Sequence, residues 1–558
     1  LKSGNSVFYE LNSSPNEYVY EDHICLIIIK GNISFIKEIV DNKPSISTLE
    51  DAKNKLVNGF AVYVDKDNSD IIIYTDVFNF YHLFYYESKE TFYISTEFRL
   101  LSQLIPSTSI DELAILDMFL FNYCLLNRTT QKNIKRFYGG SKINVSQKKI
   151  KEDNVFNFAN NYQPKIRNNF SRIKVNSYIS IFKSICKNEV NDSVPTCLSI
   201  TGGIDSRMIL AACSSLDLNF STFTFGQSGN IESETAHSFI DKYSNHHNFI
   251  ELDDVYIKGI EKNIKSIIKD SLDNPTILDL AHYDLVKEQY KNQNIFFGFM
   301  GGELLLGQSD GAQVTFTHFA KILLTCESQQ ELKQTLIQYL KSKSVFSNEF
   351  ISKNIDEYLD SLKIYLKKGD NSNILKFLLN EKYSKFFGTI NKIISKNNNV
   401  IVPFVHPEII DQYLSANLSF LNKTPFVKRP YLNMKGKFFQ GKVIKKLEPS
   451  LGKTRFDRRY TVNDLAIPFL RVKTISGYVQ NHFLKANKKN YPRPHDCDNW
   501  YQFFVTNQLS SENTRSLDSI FDLSFRIDQN NYSHFTANQK KKMANLAAVI
   551  CANNYVHN

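Results

Sequence analysis

A chain of 558 residues is longer than one ordinary hydrophobic core supports, so two large domains are expected. A hydrophobic content of 42% beside 22% charged residues is that of a folded globular protein and excludes wholesale disorder. Lys and Arg outnumber Asp and Glu by 67 to 57, but the net +10 is spread thinly, and its densest stretches, 485–493 and 540–542, lack the interleaved aromatics of a nucleic-acid binder. The longest apolar runs, 24–29 and 295–300, are of strand length, far short of the roughly 20 residues a membrane helix needs. Neither a nucleic acid nor a membrane is therefore expected as a partner. The eight cysteines form no close pair, which fits neither a zinc site nor a disulfide framework, and no secretory signal is visible, so a cytoplasmic location is expected.

Residues 7–149 carry short β-rich runs, at 24–29, 59–64, 71–75 and 91–95, separated by Asp, Asn, Lys and Gly turns. An acidic start predicts a helix over 111–121, and Phe137-Tyr138-Gly139-Gly140 turns the chain into a last strand at 142–145. The Asn-rich stretch 154–169 reads as a linker, giving a first, sheet-rich domain at 1–153. Beyond it, apolar strands at 196–200, 221–225, 249–252 and 295–299 alternate with helical patterns, as in a parallel sheet covered on both faces. From 316 to 394 the periodicity is helical throughout. A second domain is placed at 170–470, and 471–558 form a mostly helical extension that ends in a surface-docking helix, 536–550, with Thr536 as its cap.

Chemistry concentrates where the strand at 196–200 runs into Thr201-Gly202-Gly203-Ile204-Asp205-Ser206 and a strongly helix-forming run follows. Backbone amides at a helix start, with the hydroxyls of Thr201 and Ser206, make an anion pocket suited to pyrophosphate, and two glycines let a phosphate approach the backbone. An aspartate in such a pocket repels the anion unless it holds a magnesium ion, which is the role expected of Asp205. No Gly-Lys-Ser/Thr ending is present, so this is not a Walker loop. The tandem His246-His247 reads as packing or loop chemistry, because neighbours on a strand point to opposite faces.

The loop resembles the pyrophosphate loop, Ser-Gly-Gly-x-Asp-Ser, of the asparagine synthetase superfamily, with Thr201 at the first serine. Its surroundings extend the resemblance. Ser221 to Gly226 looks like the strand ending where adenine lies, with Phe225 and Gly226 at the turn. Glu232-Ser233-Glu234-Thr235-Ala236 resembles the acid-bearing helix start that follows, and Glu251-Leu252-Asp253-Asp254 the next strand end. Residues 276–290 look like the substrate-side helix, Gly298-Phe299-Met300-Gly301-Gly302-Glu303-Leu304 resembles the Gly-x-Gly-x-Asp-Glu-Leu loop, and Pro403-Phe404-Val405-His406 the Pro-Phe-Leu-Asp motif. In the first domain, 76–86, 93–101 and 134–140 resemble parts of a class II glutamine amidotransferase.

The implied fold is α/β: an N-terminal Ntn-type, amidotransferase-like β-rich domain, then a PP-loop ATP pyrophosphatase (HUP-like) parallel-sheet domain with helical additions. The implied activity is amide-bond formation by an ATP-dependent ligase, in which a carboxylate is adenylated, pyrophosphate leaves and a nitrogen nucleophile attacks. ATP and Mg2+ are the implied cofactors. Ser199, Thr201, Gly202, Gly203, Asp205, Ser206, Phe225, Gly226 and Gly298 would bind the nucleotide, and Asp205 and Glu303 the metal. Leu447-Glu448-Pro449-Ser450 resembles the text ahead of the catalytic lysine, making Lys453 the expected catalytic cation, with Arg455 in reserve and Glu303 beside the reacting groups. A small-molecule or peptide carboxylate is the expected substrate, and a biosynthetic partner protein is among the expected partners.

The chain also departs from the pattern. Leu1 stands where the glutaminase needs its cysteine nucleophile, and the residues ahead of Lys30 include no arginine to bind glutamine, so no glutaminase activity is expected. The first domain looks degenerate, as in β-lactam synthetases and lasso-peptide cyclases. Gly302 replaces the second metal aspartate, His406 the aspartate of its motif, and Phe299 a residue able to move a proton. These losses favour a second reading, a catalytically impaired relative acting as a nucleotide-binding or scaffolding partner.

Overall fold

The computed structural model describes residues 16–88, 92–105, 109–146, 149–154, 173–244, 246–275, 280–302, 318–343, 345–366, 371–416, 430–456, 460–474, 476, 500–509, 520–521, 532 and 534–557. The expected linker, apart from its first residue, and the expected metal ligand Glu303 lie outside them.

The N-terminal region is built on an antiparallel sheet ordered β1-β2-β3-β4-β8-β9: β1 Glu17–Glu21, β2 Cys25–Lys30, β3 Phe60–Asp65, β4 Ile71–Thr75, β8 Ser141–Ser146 and β9 Lys149–Asn154. Successive side chains of β2 divide between two cores. Cys25, Ile27 and Ile29 pack against the helices Ile33–Asp41 and Ile46–Ala52, whereas Leu26 joins Val64, Ile73 and Ile143 on the other face. A strand buried on both faces has to be continuously apolar, which accounts for the run from Cys25 to Ile29, whereas Ile24 lies ahead of the strand and is exposed. The second face is covered by a three-stranded sheet, β6-β5-β7 (Phe92–Ser95, Phe84–Glu87, Lys135–Arg136). The two covering helices are additional to the expected strands. They are only 9 and 7 residues long. The expected helix near 111 forms at Glu112–Phe121, capped by Asp111 Oδ1, which accepts from the amides of Leu113 (2.9 Å) and Ala114 (3.2 Å).

The later region contains a five-stranded parallel sheet ordered β12-β11-β10-β13-β14: β10 Thr196–Ser199, β11 Ser221–Gly226, β12 His247–Glu251, β13 Asn294–Phe296 and β14 Asn399–Ile401. The chain lays β11 and β12 on one side of β10, then crosses to lay β13 and β14 on the other. The strand order therefore reverses between β10 and β13, which is where ligands bind in open α/β sheets. β13 is shorter than the expected 295–299. After Phe297 N donates to Ile401 O (3.0 Å), the chain leaves the sheet, and Met300 adopts a left-handed φ of 63°. The C-terminal helix, Ala537–His557, corrects a second expectation. It is no surface element: residues 543–552 are buried without interruption as it packs on the helices Glu112–Phe121, Asp254–Asp270 and Gln502–Gln508. Among the described residues no helix is long and apolar enough to cross a membrane, and the described cysteines are buried and form no disulfides.

Polar contacts join the two regions. Asn16 Nδ2 donates to Asn399 Oδ1 (2.6 Å) and Asn58 Nδ2 to Val400 O (2.8 Å), so the edge strand β14 is covered rather than left open. Deeper in the junction, Asp273 lies 3.2 Å from His82 Nδ1, 3.8 Å from Arg136 Nη1 and 3.8 Å from Lys392 Nζ, and all four side chains are buried. Burial, and after it the charge of Arg136, lowers the His82 pKa to about 4. His82 is thus neutral when folded but takes a proton near its ordinary pKa of about 6.5 when unfolded. Its contribution to stability is complete above about pH 6.5 and is lost as the pH falls to about 4. Urea unfolding at pH 7 and pH 4.5 should show this loss, with His82 contributing on the order of 3 kcal/mol, and His82→Gln should flatten it. An unchanged pH slope in the variant would mean that His82 does not titrate on unfolding.

Candidate functional site

β10 ends at Ser199 in the middle of the parallel sheet, and the next four residues turn directly into the helix Ile204–Ser214. The turn is braced by its own hydroxyls. Thr201 N donates to Ser206 Oγ (3.1 Å), Gly203 N donates to Thr201 Oγ1 (3.1 Å), and the two hydroxyls lie 3.1 Å apart. From β11, Thr224 Oγ1 donates to Ile200 O (2.6 Å) and holds the start of the loop. Gly203 occupies the N-cap position and no side chain caps this helix.

The segment after β13 lies against this helix start. A Cβ on Gly298 would come within 2.9 Å of Ser206 N, and one on Gly301 within 2.6 Å of Asp205 Oδ1, so both positions exclude any larger residue. Between them, the left-handed, fully buried Met300 carries strain on the order of 1–3 kcal/mol, which this packing holds in place. Behind Asp205 stand Tyr178 and Tyr413, whose hydroxyls are 2.7 Å apart. Burial, with the nearby negative charge of Asp205 contributing, raises the pKa of both phenols and keeps them protonated.

Two residues not anticipated from the sequence complete the site. Gln440, buried on the helix Pro430–Leu447, donates from Nε2 to Asp205 Oδ1 (2.6 Å) and to Gly301 O (3.2 Å). Arg207 is fully buried between the rings of Phe239 (4.3 Å) and Phe456 (4.1 Å), and donates to Thr454 Oγ1 (3.2 Å) and Gly202 O (3.5 Å). Arg207 thereby ties the loop to the segment that carries Lys453 and Arg455, both of which are exposed. Thr454 and Phe456 meet Arg207, and Arg455 lies between them in an antiparallel bridge to Thr461. A sequence signal for Arg207 was available: it is a cation that immediately precedes the apolar run Met208 to Ala212 of a buried helix.

The other expected residues are distributed as follows. Thr201, Gly202, Gly203, Asp205, Ser206 and Gly298 come together. Phe225, half-buried at the end of β11, packs at a tilt against His282 (4.2 Å) with Tyr283 beside it (5.7 Å). Phe299 lies parallel to Phe297 (4.7 Å) and near Phe387 (5.5 Å). His406 faces away toward Glu189 (3.7 Å), which also accepts from Asn32 and Ser34, so that position serves the junction with the N-terminal region. His247 pairs with Thr222 (2.9 Å), and no group of three or more His, Cys, Asp or Glu side chains able to hold a metal occurs among the described residues. A cavity of about 380 Å3 bounded by Asn248, Glu251, Tyr256, Lys262 and Asn263 lies at the edge strand β12, two strands from the loop, and we assign it no role in the loop's chemistry.

The chain was compared with protein-family models and with curated proteins, and neither comparison finds a match.

Gly298→Ala should destabilise the fold by about 1–3 kcal/mol by forcing the two loops apart. Gly259→Ala, at a helical position where a Cβ meets nothing within 4 Å, is the control and should be neutral or stabilising in the same thermal melts.

Proposed function

We propose that the chain is an ATP-dependent amide-bond-forming ligase of the asparagine synthetase type, without glutaminase activity. The observation that carries the reading is the position of the loop Thr201 to Ser206. It lies at the switch point of a parallel sheet, at an uncapped helix start, with the backbone after β13 drawn against it. In this proposal the amides and hydroxyls of the loop hold the phosphates of ATP, and the partly exposed Phe225 ring offers a face for the base. Asp205 is the carboxylate that would face a magnesium ion carried by the phosphates, which would neutralise their charge. The carboxylate substrate attacks the α-phosphate, pyrophosphate leaves, and a nitrogen nucleophile then displaces AMP. Lys453 or Arg455, carried on the segment tied to the loop through Arg207, would stabilise the charge that develops on the reacting oxygens.

Phe299 favours the second reading, an impaired relative kept as a nucleotide-binding or scaffolding partner. Stacked on Phe297 and packed at a tilt against Phe387, it places aromatic surface where a proton-transferring residue is expected. Calorimetry with ATP, with and without Mg2+, separates the possibilities when combined with a pyrophosphate-release assay over candidate carboxylates. The ligase should bind ATP in a magnesium-dependent way that Asp205→Ala abolishes, and should release pyrophosphate with some carboxylate. Binding without release on any carboxylate favours the impaired, nucleotide-binding relative, and no binding at any magnesium concentration rules out the ligase and leaves the scaffolding role.

A further inference from the structure

β12 is the edge of the parallel sheet, and against it lies the cavity of about 380 Å3, closed on its other sides by the helices Asp254–Asp270 and Tyr283–Gln289. Its volume falls in the range, roughly 300–1,000 Å3, of pockets that take small molecules. Ile250, Tyr256 and Leu285 give it an apolar wall, and Val255 on its rim is 75% exposed. One polar group is buried in this wall. Asn263 is only 9% exposed, and its Nδ2 has no hydrogen-bond partner among the described residues. A buried donor without an acceptor is costly, so its retention calls for an acceptor that arrives with a ligand. Glu251 and Lys262 border the same cavity, both exposed, and neither is ion-paired among the described residues.

Only Leu252 and Asp253 separate β12 from the helix Asp254–Asp270, so the helix has to run back along the strand to wall the same cavity. Glu251 therefore stands at one end with Val255, and Lys262 and Asn263 stand at the other, beside Asn248. The stretch of helix from Val255 to Lys262 and the stretch of strand from Asn248 to Glu251 each cover about 10 Å, the length of three extended residues. The strand also offers its backbone. Thr222 N donates to His246 O and Leu252 N to Gly226 O, both at 2.9 Å, so the even-numbered residues of β12 turn their backbone groups to β11 and Phe249 turns its N–H and C=O away from it.

We propose that this cavity binds a short apolar peptide with free ends, about three residues long, laid antiparallel along β12. Its ammonium end meets Glu251, its middle residue exchanges backbone hydrogen bonds with Phe249, and its apolar side chains cover Val255 and the wall behind it. Its terminal carboxylate accepts from Lys262 Nζ and from the Asn263 amide, which no other hydrogen bond holds in place. The antiparallel direction follows from the charges, because the cationic end of the cavity lies where β12 begins. No residue of the loop after β10 takes part, so the inference does not rest on the ligase reading.

The probe is trileucine, titrated into the full chain by calorimetry. Saturable binding below about 10 mM is expected, and the emission of Trp500, the one tryptophan of the chain, should change with it because its ring lies 5.8 Å from that of Tyr256. Lys262→Glu should weaken binding by about tenfold, as should capping both ends of the peptide by acetylation and amidation. Gly259→Leu, at a position on the cavity where a Cβ meets nothing within 4 Å, should fill the space and abolish binding while the helix gains propensity. Asn263→Leu should lower the affinity by about tenfold with the melting temperature held or raised, whereas a purely structural Asn263 would lower the melting temperature and leave the affinity alone. If that variant fails to fold, Lys262→Glu and Gly259→Leu decide. The inference is overturned by an absence of saturable binding, by a capped peptide or a single leucine that binds as tightly as trileucine, or by an affinity indifferent to both Lys262→Glu and Gly259→Leu.

Discussion

The backbone at Gly298 comes close enough to the amide of Ser206 that one added carbon would force the two apart. The rest of the site depends on this contact. It exists because β10 and β13 are direct neighbours, Cys197 opposite Ile295, so their outgoing segments emerge side by side at the reversal of strand order. From it follow the early end of β13, the left-handed Met300 and the placement of Gly301 against Asp205. A turn that would otherwise be an ordinary helix start is bounded by neighbouring segments and carries one carboxylate, two hydroxyls and no side-chain cap.

The walls are supplied from far along the chain. Helix Pro430–Leu447 brings Gln440 from one side, and Arg207 draws the Thr454 to Phe456 segment onto the same loop. The N-terminal region contributes indirectly. It covers the β14 edge through Asn16 and Asn58, and its His82 and Arg136 meet Asp273 and Lys392 in a buried charge cluster. His82 Nε2 also lies 3.2 Å from Ser384 O, in the π-helical turn Leu378–Phe387 whose last residue packs on Phe299. A π-turn lodged between α-helices is costly, and here it is fixed from both sides. The degenerate first domain of the sequence reading is thus structurally engaged with the later region.

What could be read from the sequence followed local rules. β4 falls at 71–75 as expected, the helix after Asp111 starts where its carboxylate caps it, and the alternation of strand and helix after residue 196 gave the parallel sheet. The loop residues were found because strand, glycine pair and helix are contiguous. What escaped depends on distance along the chain. Gln440 lies 235 residues from Asp205, and nothing in its neighbours Phe439 and Gly441 indicates which carboxylate its amide meets. The burial of the C-terminal helix escaped because its Lys, Asn and Gln residues look solvent-facing, yet Lys542 and Asn545 turn inward to carbonyls of the helix Glu112–Phe121.

The proposed nucleotide site at the loop after β10 predicts which amides ATP would protect. Amide hydrogen exchange with and without ATP and Mg2+ measures that directly, residue by residue. Slowed exchange confined to Gly202 to Arg207 and Gly298 to Gly302 is the result expected, since the two segments pack directly against each other. Protection that leaves those amides unchanged and appears instead around the β12 cavity, at Asn248 to Asn263, would contradict it.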